Sequence, residues 1–428
     1  MRWCDWTGIL GLVLIVFGGV SLWLDLDPWH ILWYVFVWFG YFLTLDAVLA
    51  RCWDRGVLIL HQKHLGMFLW SIPFWFFFEL YNIRIQNWYY VFTFHSAPAS
   101  FFFSCLAFST VLPICLLHGE ILTKTALFRN ISLPPLPVRG LRNGLAIFGV
   151  CCLLLPLIVP RYAFWMTWGA LACLPEVLAY RVGSPSILSE LERGNPRRLC
   201  ALIVGGAWAG LLWEGLNFGA RCKWIYTVPG LEGAKLFEMP LLGFVGFPAL
   251  ALNAYPTYGL IRKMWDTRGA AWLRPLLTGV GVVVVLWGFI EMRSHTVHSK
   301  RPLMEDVDGL TEVAIISLTN TGVATPEALV THCVTESTRD LAESLHLSTD
   351  DVDLACRHAG LSIHKGLGTT RARLLMDHGV RSVEDLPLLE EQSFADRIVS
   401  AGSTLQPPIS KAEVGVWYRA ARSGAPRR

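Results

Sequence analysis

The sequence predicts an all-α protein: a polytopic membrane bundle of about nine spans, in two parallel four-span repeats, followed by a small soluble helical domain. Three observations predict it. The 428 residues are 54% hydrophobic and 16% charged, with 19 Trp, far from soluble averages. Nine apolar stretches approach the roughly 20 residues that a helix needs to cross a ~30 Å hydrocarbon core. The charge is also divided: residues 1–300 hold 23 Lys/Arg against 15 Asp/Glu, and residues 301–428 hold 13 against 18, a net of +8 followed by −5.

The stretches run, in order, Thr7–Leu24, His30–Ala50, Gly66–Asn82, Ala97–His118, Asn143–Pro160, Tyr162–Tyr180, Leu199–Asn217, Glu238–Ile261 and Leu276–Met292. The first carries Arg2 and no small-residue cleavage site, so it reads as an uncleaved span rather than a signal peptide. The fifth and sixth form a hairpin at Pro160-Arg161. Loops 51–65, 119–142, 181–198 and 262–274 hold 15 basic residues, and the opposite loops 25–29, 83–96, 161 and 218–237 hold 5. That bias puts the N-terminus in the cytoplasm of a bacterial inner membrane. A ninth span then carries the tail outside. Arg293, Lys300 and Arg301 flank that span, and an eight-span chain would keep the tail inside.

Internal repetition sets the domain boundaries. Asp46 and Arg51 close span two as Glu176 and Arg181 close span six, and Glu79-Leu-Tyr-Asn82 and Glu214-Gly-Leu-Asn217 follow 33 and 38 residues after those acids. Pro113 in span four answers Pro248 in span eight. The repeats therefore occupy 1–135 and 136–270, the last span and linker 271–300, and the soluble domain 301–428. That domain is duplicated again. Gly309, Leu318, Gly322 and Leu329 recur as Gly366, Leu375, Gly379 and Leu386, each 57 residues on. Ser348…Asp351 and Ser410…Glu413 have the spacing of reciprocal helix caps. Gly322 and Gly379 stand where left-handed helix caps are expected.

The intramembrane acids are the main candidate site, because a carboxylate at bilayer depth costs roughly 2.5–3.5 kcal/mol on insertion scales. Glu79 and Glu214 are read as proton-handling groups. Asn82 and Asn217 share their helix faces and are read as orienting partners. Trp88, Tyr90, Trp224 and Tyr226 follow at matched positions and complete a substrate-binding set. The alternative is structural: the polar groups lock helices together and the aromatics form an interfacial belt. Asp46/Arg51 and Glu176/Arg181 read as ion pairs between the repeats. His61, His64, His118 and Glu120 show no third-ligand spacing, so neither a metal nor a cofactor is expected. The eleven cysteines form no C-x-x-C pair and read as small buried hydrophobes rather than a disulfide framework.

Lys365-Gly366-Leu367-Gly368 with Arg371 resembles the hairpin of helix-hairpin-helix domains, whose backbone N–H groups meet a DNA phosphate. The first copy reads Asp308-Gly-Leu-Thr311, and with the tail's charge of −5 this argues against nucleic-acid binding. Residues 303–420 look like tandem helix-hairpin-helix domains of unknown function at the ends of bacterial proteins. Phe78–Tyr90 and Trp213–Tyr226 resemble uncharacterised bacterial membrane proteins with duplicated F-E-x-x-N…N-W-Y phrases. A fainter similarity, over Trp224-Ile-Tyr226 through Gly233 to Phe237-Glu-Met-Pro240, is to membrane lycopene cyclases and carotenoid hydratases. That resemblance implies carboxylates that protonate a polyene. Leu241 and Leu242 replace the cyclases' paired acids.

The leading expectation is a membrane protein that binds a lipophilic, isoprenoid-like molecule at the Glu/Asn centre, with or without acid–base chemistry. A transporter or ion pathway would use the same acids. A membrane-anchored assembly protein would act on a protein partner through its tail.

Overall fold

The structure is a computed structural model that describes residues 3–24, 26, 28–52, 62–85, 87–91, 94, 96–220, 222–226, 228, 234–267, 269, 271–294, 302–405 and 408–424. It is predominantly helical, and the chain divides into two compact units. One comprises 1–87, 96–220 and 234–294; the other comprises 88–95, 221–233 and 295–428.

The first unit contains helices α1 (Trp3–Trp23), α2 (Trp33–Cys52), α3 (Gln62–Ile85), α4 (Ala97–Phe108), α5 (Val111–Lys124), α6 (Val138–Ile158), the short α7 (Pro160–Ala163), α8 (Thr167–Val182), α9 (Ile187–Glu192), α10 (Arg197–Gly219), α11 (Gly246–Asp266) and α12 (Leu273–Ser294). Among the described residues, six segments are long and apolar enough to cross a membrane: Asp5–Trp23, Trp29–Cys52, Ala97–Lys124, Val138–Ile158, Arg197–Gly219 and Leu273–Arg293. The other three predicted spans fall in α3, α8 and α11, which are shorter or carry more polar residues.

Small residues bring the helices together. A Cβ on Gly40 would meet the Gly11 carbonyl at 2.6 Å, so α1 and α2 touch backbone to backbone. On α10, a Cβ on Gly205 would meet Gly119 N of α5 at 2.9 Å, and one on Gly206 would meet the Phe247 carbonyl of α11 at 2.7 Å. Where no water competes, such close approach is what lets helices associate. Pro113 lacks an N–H, and the helix is interrupted just before it, at residues 109–110 between α4 and α5. Ser71 of α3 bridges the break, donating to Phe108 O at 2.6 Å and accepting from Leu112 N at 3.0 Å. Trp38 Nε1 donates to Thr110 Oγ1 across the same break at 2.8 Å.

Two of the residues expected to pair between the repeats, Arg51 and Glu176, have local partners. Arg51 meets Asp5 of α1 at 2.7 Å. Glu176 accepts from Ser186 Oγ at 2.5 Å and Leu188 N at 2.8 Å, bonds that hold the start of α9. A side chain at a helix end finds its nearest partner in the adjoining loop or hairpin, which the spacing of acid and arginine does not reveal.

In the second unit, strands β1 (Trp88–Val91) and β2 (Lys223–Tyr226) join a helical domain. Its helices are α13 (Glu312–Asn320), α14 (Pro326–Thr335), α15 (Thr338–Leu345), α16 (Thr349–Ser362), α17 (Gly368–Asp377), α18 (Glu391–Ala401) and α19 (Lys411–Gly424). Gly322 and Gly379 follow α13 and α17 with φ of +90° and +88°. Ser410 and Glu413 cap α19 reciprocally: Glu413 N donates to Ser410 Oγ at 3.2 Å, and Ser410 N donates to Glu413 Oε2 at 2.7 Å. Ser348 caps α16, accepting from Asp351 N at 3.1 Å.

The reading of the cysteines needs one correction. Cys333 of α14 and Cys356 of α16 form a disulfide, 23 residues apart in sequence. The two helices pack against each other with α15 between them in sequence, a proximity that has no local motif.

Candidate functional site

The first unit buries the candidate acids. Glu79, Glu214 and Asn217 are 2%, 0% and 0% exposed, and Asn82 is also buried. Glu79 Oε1 accepts from Trp75 Nε1, one turn earlier on α3, at 2.8 Å. Asn82 Oδ1 accepts from Asn87 N at 2.9 Å and closes the end of that helix. Tyr34 lies within electrostatic reach of Glu214 and stacks on Trp38, with centroids 5.8 Å apart. Trp33 Nε1 donates to Leu216 O at 3.2 Å, tying α2 to the end of α10.

Indole and phenyl rings link these groups. The residue before each glutamate packs on a tryptophan of the other half of the unit: Trp213 stacks on Trp38 at 5.9 Å, and Phe78 lies 5.1 Å from Trp168. Trp38 precedes Asp46 by eight residues, as Trp168 precedes Glu176. Trp75, the donor to Glu79, also contacts Trp213 at 5.7 Å. Sequence reading missed Trp38, Trp75 and Trp168, although the shared spacing of Trp38 and Trp168 from Asp46 and Glu176 was available as a signal.

The four matched aromatics assemble elsewhere, in the second unit. β1 and β2 pair antiparallel, with Trp88 opposite Tyr226, Tyr89 opposite Ile225 and Tyr90 opposite Trp224. Alternate residues of a strand face opposite sides. One face therefore carries Trp88, Tyr90, Trp224 and Tyr226, with Trp224 Nε1 donating to Tyr226 Oη at 2.9 Å. The other carries Tyr89, Val91 and Ile225, which enter one hydrophobic core with Leu367, Leu375, Ile398 and Trp417 of the helical domain.

The hairpin residues of the second tail copy are engaged within that unit. Gly366 has φ of +77°, and a Cβ there would collide with Val91 Cγ1. Gly368 has φ of +69° and Lys365, unusually for a side-chain residue, +36°. Arg371 is buried, with Glu413 at 3.7 Å. Burial pushes the Glu413 carboxyl above its usual range, against the opposing charge of Arg371. Arg373 forms a bidentate pair with Asp308 of the first copy. His358 is fully buried between the copies, accepting from Asp308 N at 2.9 Å through Nδ1, so its other nitrogen is the donor to Thr369 O, also at 2.9 Å. The hairpin segment thus meets a strand where a DNA-binding hairpin would meet phosphate. The side chains of His61 and His64 lie outside the described residues.

Residues 308–423 match the model of a family described as a domain of unknown function (DUF4332). No curated protein and no solved structure matches the chain.

Proposed function

We propose that this is a nine-span inner-membrane protein whose duplicated membrane half binds a lipophilic molecule at the centre formed by Glu79, Asn82, Glu214 and Asn217. One observation carries the reading: carboxylates sit nearly inaccessible inside apolar helices, surrounded by an aromatic cluster to which both halves contribute. Buried carboxylates without water are costly. Flat rings beside them suit a conjugated or isoprenoid chain, and the acids supply proton transfer if the ligand reacts. The reciprocal packing of Trp213 on Trp38 and Phe78 on Trp168 supports two parallel repeats related by an axis along the membrane normal. So does a ladder in which matched residues, Tyr89 and Ile225, stand opposite each other.

Topology follows from two independent features. β1 and β2 belong with the tail and lie in loops 83–96 and 218–237, on the side poor in basic residues. The Cys333–Cys356 disulfide suits an oxidising compartment. Both favour an extracytoplasmic tail and a cytoplasmic N-terminus.

The test is mass spectrometry of lipid extracted from the purified full chain and from an E79Q/E214Q variant. The expected result is an apolar lipid at near-stoichiometric amount in the wild type and several-fold less in the variant. A wild-type protein that carries only bulk bilayer lipid would sink the proposal.

A second reading, partner binding through the tail, rests on exposed Val313 and Ile316, which lie on one face of α13. The occupied hairpin, buried Arg371 and acidic charge speak against nucleic acid as that partner.

A further inference from the structure

A cavity of about 750 Å³ opens at one end of the membrane unit, among α2, α3, α5, α10 and α11. Its wall is apolar: Phe42 of α2, Phe68 of α3, Leu116 of α5 and Leu202 of α10 line it. Its mouth is charged. Lys124, Arg198, Arg262 and Lys263 line it together with only two acids, Glu120 and Asp266. A volume of this size falls within the roughly 300–1,000 Å³ of small-molecule sites.

The ion pairs at the mouth leave positive charge over. Glu120 is shared between Lys124 at 2.8 Å and Arg198 at 3.0 Å. Arg262 leans on Asp266 at 3.7 Å. Lys263 has no ion pair among the described residues. Arg198 is partly spoken for: its guanidinium lies 5.3 Å from the centre of the Tyr255 ring. Its Nε stands 3.7 Å from Glu190 Oε1, too far to donate, and has no hydrogen-bond partner among the described residues. An N–H buried beside a cavity and lacking an acceptor marks a place for one.

We infer that the cavity holds a phosphate-bearing amphiphile. The phosphate meets Arg198 and Lys263 at the mouth, and the hydrocarbon chain lies against Phe42, Phe68 and Leu202. An arginine fork matches a phosphate, and a lysine adds a point charge beside it. The mouth is formed by the C-terminal ends of α5 and α11 and the N-terminal end of α10, which lead into the basic-rich loops. Basic pockets between spans on that side of a membrane are where anionic head groups bind. Phe42 of the cavity wall contacts Trp38 at 5.8 Å, and Trp38 stacks on Trp213, so packed rings close the wall on that side. The inference stands on the cavity alone and holds even if Glu79 and Glu214 bind nothing.

The test uses the full chain in phosphatidylcholine nanodiscs, with dodecyl phosphate as the probe and dodecanol and inorganic phosphate as controls. The expected result is retention of dodecyl phosphate at concentrations where neither control binds. K263Q and R198Q should each weaken that binding about ten-fold or more, the usual worth of a charge-assisted hydrogen bond. R198Q also removes a partner of Glu120, so K263Q, on an exposed side chain, is the variant that leaves the fold undisturbed. Nanodiscs doped with phosphatidic acid identify the source. Competition assigns the site to a bilayer lipid, and its absence to a free single-chain phosphate. Dodecanol binding as tightly as dodecyl phosphate, or K263Q and R198Q both binding it like the wild type, would overturn the inference.

Discussion

The two halves of the tail follow one sequence pattern and are closed by different means. In the first, Leu318, Leu329, Leu345 and Ala355 form the core, and the Cys333–Cys356 bridge ties α14 to α16. The second half has no cysteine, and its core takes in Tyr89, Val91 and Ile225 from strands that belong to other parts of the chain. The reason is visible between the copies. Where the first has the ten-residue α14, the second has a 3-10 turn, Val383–Leu388, interrupted by Pro387. A bundle of fewer than sixty residues rarely buries enough surface alone. One copy meets that shortage with a covalent link, the other with borrowed strands. The first half's core is therefore drawn from its own residues, and the second's also from the strands at 88–91 and 223–226.

The largest way to break that contrast is V91D. Val91 is fully buried against Gly366, and a lone carboxylate there should cost about 3–5 kcal/mol. Limited proteolysis of the full chain should then cut within α17–α19 and spare α13–α16. Equal cleavage of both halves would show that they do not differ as described. The converse variant, C333S/C356S, should cost about 3 kcal/mol by the loop-closure argument. It should expose α14 and α15 first, and unchanged protection there would count against the first half's reliance on its bridge.

The smallest effect is expected at the junction. Asp308 is held below the usual carboxylate range, chiefly by its hydrogen bond from Arg373. A depressed carboxyl stabilises the fold above its unfolded-state pKa of about 3.9 and stops doing so as pH falls through its folded-state value. D308N should therefore cost about 1 kcal/mol at neutral pH, modest because the pair is partly exposed. The gap in melting temperature between D308N and wild type should close below about pH 4. A gap that stays constant to pH 3 would detach the junction from Asp308.

The contrast also marks what the sequence made legible. Helices could be read because apolar runs and caps are local: Gly322, Gly379 and the Ser410–Glu413 pair lie where spacing put them. The burial of Glu79 and Glu214 inside apolar stretches was readable for the same reason. The strands were not. Trp88–Val91 and Lys223–Tyr226 are four residues each, and an alternation that short is indistinguishable from interfacial aromatics until a partner strand is known. The disulfide joins residues 23 apart with no motif between them. The cavity gathers Lys124, Arg198 and Lys263 from three helix ends, a convergence that only packing creates.

The β1–β2 ladder has a further consequence. Two segments of similar sequence pair antiparallel about Tyr89 and Ile225, the contact that two identical strands would make across a dyad. Such a contact is the same from either end. A single tail resting on it is not, and it has to find two unlike ends. The ends differ: one carries Val91, fully buried, opposite Lys223, half-buried, and the other carries Trp88 opposite Tyr226. One apolar and one charged corner give the lone domain an orientation on an otherwise even-handed platform.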